Sequence, residues 1–177
     1  TLVAGTYNKV TVSTTGGATA IANVTVNGAL HLPNANPSAT VGAFNTNTNT
    51  LFMGPLATNT GVGDVSGYIT RNTGIAYNTT YTFGHPNTSI IIPQVGTLPT
   101  SMSIRTILGS APAGKTDGIK RTYDFIQTGG SGTKAIISSH YLDSELNGNT
   151  ENKLVDWIVN YPGQSLIENG RSNYNTT

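Results

Sequence analysis

The chain has 177 residues, enough for one large domain or two small ones with a core of its own. Only 10% of the residues are Asp, Glu, Lys or Arg and the net charge is +1, so nothing attracts phosphate backbones or anionic lipid in bulk. Nucleic-acid binding is set aside on that ground, membrane insertion for lack of an apolar run near the roughly 20 residues a spanning helix needs, and thiolate chemistry for lack of cysteine. Thr, Asn and Gly supply the polarity that charge does not, which favours an extracellular all-β protein.

Along residues 1–71, short alternating runs of β-branched residues are separated by Gly, Asn and Pro. The predicted strands are Tyr7 to Val12, Val24 to Leu32, Thr50 to Met53 and Val65 to Arg71. Their uneven spacing, roughly 15 to 25 residues from run to run, suits coils of an irregular β-helix or a small β-sheet layer more than a strict solenoid repeat, and residues 1–71 are read as the rungs of a β-helix-like layer. Pro33-Asn34-Ala35-Asn36-Pro37 marks an excursion between coils, and Thr46-Asn47-Thr48-Asn49-Thr50 is either loop composition or a flat threonine array of the ice-binding kind.

From residue 72 onward strands are spaced more widely, with Pro- and Gly-rich loops, as in an antiparallel β-sandwich over 72–177. Tyr77 to Phe83, Ser89 to Ile92, Ser101 to Leu108, Ile119 to Gln127, Thr133 to Leu142 and Lys153 to Tyr161 are the predicted strands. Ile119, Arg121, Tyr123 and Phe125 fall on one face. The Gly129-Gly130-Ser131-Gly132 connection predicts a hairpin between that run and Ala135 to Leu142. Glu151 to Val159 has some helical character, although Trp157 argues equally for a core strand. Almost no helix is expected overall.

Several segments together resemble the very large, repetitive surface proteins that Bacteroidetes secrete. They are Gly5-Thr6-Tyr7-Asn8-Lys9-Val10-Thr11-Val12, Val24-Thr25-Val26-Asn27-Gly28-Ala29-Leu30, Gly63-Asp64-Val65-Ser66-Gly67-Tyr68-Ile69-Thr70-Arg71, Tyr81-Thr82-Phe83-Gly84, Arg121-Thr122-Tyr123-Asp124-Phe125 and Tyr141-Leu142-Asp143-Ser144-Glu145-Leu146-Asn147-Gly148. The resemblance covers nearly the whole chain and departs at Asp124-Phe125, where a Trp often follows the Tyr. It implies secretion through the type IX system and display as an adhesin, filament or gliding-motility surface protein, and it names no ligand.

The most suggestive site is Asp143, Glu145, Asn147, Asn149 and Glu151, oxygen-bearing side chains at alternate positions around Gly148, a spacing that suits calcium. The match to an EF-hand is partial, since Leu154 stands where the bidentate Glu belongs, and the preferred alternative is a plain turn opened by Asn147-Gly148. No catalytic residue is assigned: no nucleophile elbow, zinc-helix pair or phosphate loop occurs, and His31, His85 and His140 each read as structural. The eight acidic residues offer a glycosidase pair only in principle.

A structural or adhesive role without catalysis is therefore expected, with no cofactor beyond a possible Ca2+, and the runner-up is a carbohydrate-binding module using exposed tyrosines. The two differ in whether several Tyr side chains form one exposed row. A Lys–Asn cross-link at Lys9 or Lys134 has no identifiable partner. The apolar start at Leu2-Val3 and the polar, turn-like 169–177 leave both ends looking unfinished, so neighbouring copies or adjacent segments of the same chain are the expected partners, in a head-to-tail array.

Overall fold

The computed structural model describes residues 1–35, 42–160 and 165–172, and the structural statements below concern these. The protein is all-β. Its strands are β1 (Gly5–Thr11), β2 (Ala18–Thr19), β3 (Val24–Leu32), β4 (Phe44–Met53), β5 (Thr58–Gly61), β6 (Val65–Arg71), β7 (Thr80–Thr82), β8 (Ser89–Ile91), β9 (Ser101–Leu108), β10 (Arg121–Thr128), β11 (Ile136–Ser138), β12 (Asp156–Asn160) and β13 (Ser165–Gly170). Helical geometry among the described residues is limited to two 3-10 turns, Asp143–Glu145 and Glu151–Lys153. No helix among them is long and apolar enough to cross a membrane.

Eight strands form one mixed sheet with the path β1-β3-β4-β6-β9-β10, β2 pairing with β4 and β5 with β3. Every pairing among β1 to β6 is parallel. β9 then adds antiparallel to β6, and β10 antiparallel to β9. Pairing thus changes sense across β6, which ends at Arg71, while the sheet itself runs on.

Period-two alternation explains which side is buried. Val24, Val26, Leu30 and Leu32 point inward from β3, and Val24, Leu51, Ile69 and Ile104 align in one row across β3, β4, β6 and β9, each at most 1% exposed. Burying side chains of this size contributes about 1.5–3 kcal/mol apiece. The inward phase of β4 slips from Phe44 and Thr46 to Leu51 and Met53, because Asn45 pairs with Ser66 and Thr50 with Tyr68, so that four residues face only Gly67. Thr46 is fully buried there and its Oγ1 accepts the Tyr68 amide at 2.8 Å, which is incompatible with a flat, exposed threonine array. Gly67, at φ 96°, is needed for that approach: a Cβ on it would stand 2.1 Å from Thr46 Oγ1.

A three-stranded sheet, β11-β8-β7, contributes Tyr81 and Ile90, with Phe83 and Ile92 just past the ends of β7 and β8, to the same hydrophobic cluster as the main sheet, a sandwich-like arrangement. The predicted hairpin between the Ile119–Gln127 run and Ala135 to Leu142 does not form. β10 pairs with β9, and β11, reduced to three residues, pairs with β8. Four glycine-rich residues permit a tight reversal without enforcing one, and here Gly129 and Gly130 instead pack against Thr97, Pro99 and Thr100. Glu151–Val159 is a 3-10 turn followed by β12, whose partner is β13 alone. Trp157 on this two-stranded ribbon is 40% exposed and so lies outside the core; the Lys115 ammonium sits 4.9 Å from its ring centroid. The start of the Pro33–Pro37 excursion is described, but residues 36–41 lie outside the described residues, as do Tyr161 and residues 173–177.

Candidate functional site

Two carboxylates of this sparsely charged protein converge on Arg121, at the start of β10. Alternation turns Arg121 inward, where it is 3% exposed beneath the end of the main sheet. Two acidic residues come to it from different directions. Asp64 sits just before β6, its backbone carbonyl accepting the Phe44 amide, and Glu145 ends the 3-10 turn that follows β11. All five guanidinium N–H donors are used. Nε donates to Glu145 Oε2 at 2.8 Å, Nη1 to Asp64 Oδ1 at 2.9 Å and to the Tyr123 hydroxyl at 3.1 Å, and Nη2 to Asp64 Oδ2 at 2.8 Å and to Glu145 Oε1 at 3.1 Å. The Leu142 amide adds a bond to Glu145 Oε2 at 2.8 Å.

Burial alone would lower the Arg121 guanidinium; the hydrogen bond to Asp64, the Tyr123 and Asp64 charges and the hydrogen bond to Glu145 reverse that and hold it above its ordinary value. Tyr123 donates to the His140 carbonyl at 2.5 Å and bonds Thr88 at 3.2 Å, and burial pushes its hydroxyl up. Two carboxylates around one guanidinium are costly to desolvate, and only full hydrogen bonding makes such a group tolerable.

Beside this cluster the rings of His85 and His140 stack, centroids 3.6 Å apart and planes within 5°. The Asn87 amide donates to His85 Nδ1 at 3.1 Å, which places the proton of neutral His85 on Nε2. Burial, with the positive fields of His140 and Arg121, pushes His85 down to about 4 against the opposing pull of Asp64. His140 is lowered too, by burial and Arg121. Its Nε2 is buried without a hydrogen bond, 3.8 Å from Asp64 Oδ2.

Asp64, His85 and His140 each offer a ligand atom within 4.8 Å of the others, a donor set suited to a divalent transition metal. Two features oppose coordination in this arrangement. Both Asp64 oxygens are bonded to a cation, and lone pairs lying in two parallel ring planes do not converge on a point. What the arrangement does chemically is tie three distant chain segments together through charge and keep two imidazoles neutral at pH 7.

No protein-family model matches the chain, and neither a curated protein nor a solved structure does.

The sequence-predicted calcium residues are used differently from one another. Glu145 serves Arg121. Asn147, at φ 54°, donates its amide to the Thr116 and Gly118 carbonyls at 3.0 and 2.9 Å, and Asn149 donates to the Asp117 and Leu146 carbonyls, both at 2.7 Å. Glu151 accepts the Tyr141 hydroxyl at 3.2 Å, and Asp143 is exposed. His85 and His140 stand 55 positions apart in sequence and Asp64 a further 21 before His85, so no local motif announces their meeting. The one available signal was an Arg at an inward position of β10, which demands buried acceptors.

Proposed function

We propose that the chain is a non-catalytic structural and adhesive segment of a large secreted cell-surface protein, with a β-helix-like coil stack over residues 1–71 and a sandwich module over 72–177. The observation that carries this proposal is the five-donor Arg121 brace. It joins the start of β6 to a turn more than 80 residues later, and it consumes the two most buried carboxylates in holding segments together. Such a brace suits a segment that must bear load. The resemblance to type IX-secreted adhesins and gliding-motility proteins points the same way, and extracellular display follows from it.

Assembly with neighbouring copies or adjacent segments of the same chain belongs to the same proposal. β1 and β10 are the two ends of the main sheet path, and unpaired strand edges are templates for further pairing. Phe125 and Ile126 on β10 are 41% and 47% exposed. By contrast, no described tyrosine is fully exposed, so a platform built from a row of tyrosines lacks that support.

Antibodies raised against the 177-residue chain test display. Labelling of intact, unpermeabilised cells of the source organism is expected, and labelling only after permeabilisation would overturn the proposal. Single-molecule pulling tests load-bearing: the wild-type chain should unfold at a clearly higher force than Arg121→Met, and equal forces would remove the brace as the carrier of function.

A further inference from the structure

The outer face of the main sheet, opposite the core, carries an open depression of about 340 Å³ lined by Thr25, Asn27, Phe52, Met53, Gly54, Asn72 and Thr73. Its position follows from the ladder. Thr25 pairs with Phe52 and Phe52 with Thr70, so these three side chains point outward in one row while Val24, Val26, Leu51 and Met53 point inward. Phe52 is half-buried, a large ring left on the wet face of a sheet among hydroxyls and amides. Asn27, Asn72 and Thr73 are exposed, and among the described residues no hydrogen bond engages any of their side-chain polar groups or that of Thr25.

From this combination we infer that the depression is a binding subsite for a neutral glycan. An aromatic ring covers the apolar C–H face of a sugar, and carboxamides and hydroxyls, which both donate and accept, match sugar hydroxyls, which do the same. No lining residue is charged, so neither a phosphate nor an acidic sugar finds a partner there. The volume lies at the small end of the roughly 300–1,000 Å³ typical of ligand sites, enough for a short stretch of an oligosaccharide. A peptide strand or a lipid is a poorer fit: Phe52 and Met53 are the apolar side chains of the lining and Met53 is buried, so there is no continuous apolar track. Outward hydroxyls continue in register beyond the depression, at Thr70 and Ser103, whose oxygens lie 2.8 Å apart, giving a longer chain a path across the strands.

This inference rests on the adhesive part of the proposed function and supplies its ligand class, but a binding measurement on the purified chain reads it separately from surface display. Cellopentaose, maltopentaose, laminaripentaose, mannopentaose and chitopentaose, with oligogalacturonate as the acidic probe, are titrated into the 177-residue chain by calorimetry and by NMR shift mapping. At least one neutral pentasaccharide should bind, with shifts centred on residues 25–27, 52–54 and 72–73. Phe52→Ala should weaken it about tenfold or more through loss of ring contact, and Asn72→Ala by several-fold. Phe125→Ala, an exposed aromatic elsewhere, should leave it unchanged. If Phe52→Ala unfolds, the exposed pair Asn27→Ala and Asn72→Ala decides. Absence of binding by every neutral probe at millimolar concentration, binding of oligogalacturonate alone, or neutral binding that survives these variants would each overturn the subsite, and none of these bears on antibody labelling of cells.

Discussion

Two arginines are buried in this protein, one in each half, and they are satisfied by opposite means. Arg71, at the end of the parallel ladder and 1% exposed, meets no carboxylate: Nη1 donates to the Gly54 carbonyl at 2.7 Å, Nη2 to those of Ala57 and Thr82 at 2.7 and 2.9 Å, and Nε to Thr82 at 3.2 Å. The rings of Tyr81 and Phe83 lie 5.2 and 5.6 Å from its centre. Arg121 in the antiparallel half is locked between Asp64 and Glu145. Burial accordingly lowers Arg71 to about 10, and the Tyr81 field only partly offsets it, while Arg121 is driven above its ordinary value. The parallel half uses the guanidinium to close a backbone corner with neutral dipoles; the antiparallel half uses it to tie chain segments by charge.

Removing each cation should show the difference most strongly. Arg121→Met leaves two carboxylates buried without their cation, a loss of about 3–5 kcal/mol. Arg71→Met leaves carbonyls short of donors, at about 1–3 kcal/mol. The sharper contrast is in pH. Relative to wild type at the same pH, the Arg121→Met defect should shrink from pH 7 to pH 4.5, where the stranded carboxyls take up protons, whereas the Arg71→Met defect should stay constant. Urea midpoints at both pH values check this, and two defects that respond alike to acid would erase the distinction.

The stacked histidines give the antiparallel half a second response to acid. His85 titrates at about 4 in the fold against about 6.5 in an unfolded chain. Between those values the unfolded state binds the extra proton, so stability falls as pH drops through this window, by at most about 3 kcal/mol, and is retained above pH 6.5. His140, Asp64 and Arg121 face the ring and set the size of the effect. His85→Gln should flatten the stability profile between pH 6.5 and 4. A profile as steep as wild type would assign the acid sensitivity elsewhere.

Alternation made much of the fold legible. β3, β6 and β9 fall on their predicted spans, because each buries most of one face and period two sets its phase. Partners were less legible than strands. The glycine-rich link after β10 suggested a local hairpin, but long-range pairing of Phe125 with Ile104 and of Arg121 with Leu108 prevailed. The site was the least legible part. Glu145 sat in plain view within an acidic run that suggested calcium, and only the inward turn of Arg121 shows why that carboxylate is buried at 1% exposure. Nothing in a sequence brings Asp64, His85 and His140 to one point.

A smaller effect tests the parallel half alone. Gly67 lies at φ 96°, and a methyl there would meet Thr46 Oγ1 at 2.1 Å, the acceptor of the Tyr68 amide. Gly67→Ala should cost about 1–3 kcal/mol through strain and the displaced bond, and should do so equally at pH 7 and pH 4.5, since no titrating group is touched. Gly148→Ala makes a useful control: its φ is 80° but nothing lies within 4 Å, so only the backbone term remains and the loss should be smaller. Equal losses for the two would mean that the close approach to Thr46 contributes nothing.

The smallest effect expected is that of chelation, and it asks whether the antiparallel half holds its acidic loop by internal bonds alone. Calcium needs six to eight oxygens turned toward one point. Of the five residues in the loop, Glu145 has both oxygens on Arg121 and the Leu142 amide, and Asn147 and Asn149 present N–H donors to backbone carbonyls, which positions those nitrogens and not the oxygens against the loop. Glu151 is held by Tyr141, so Asp143 is the carboxylate left free to face solvent. A loop organised this way should melt at the same temperature, within about 1 °C, in EDTA and in millimolar calcium, because a ligand raises stability only by binding the folded state. A drop of several degrees in EDTA, restored by calcium and abolished by Asp143→Ala, would show instead that the loop rearranges around an ion, and that this half is braced by a metal as well as by Arg121.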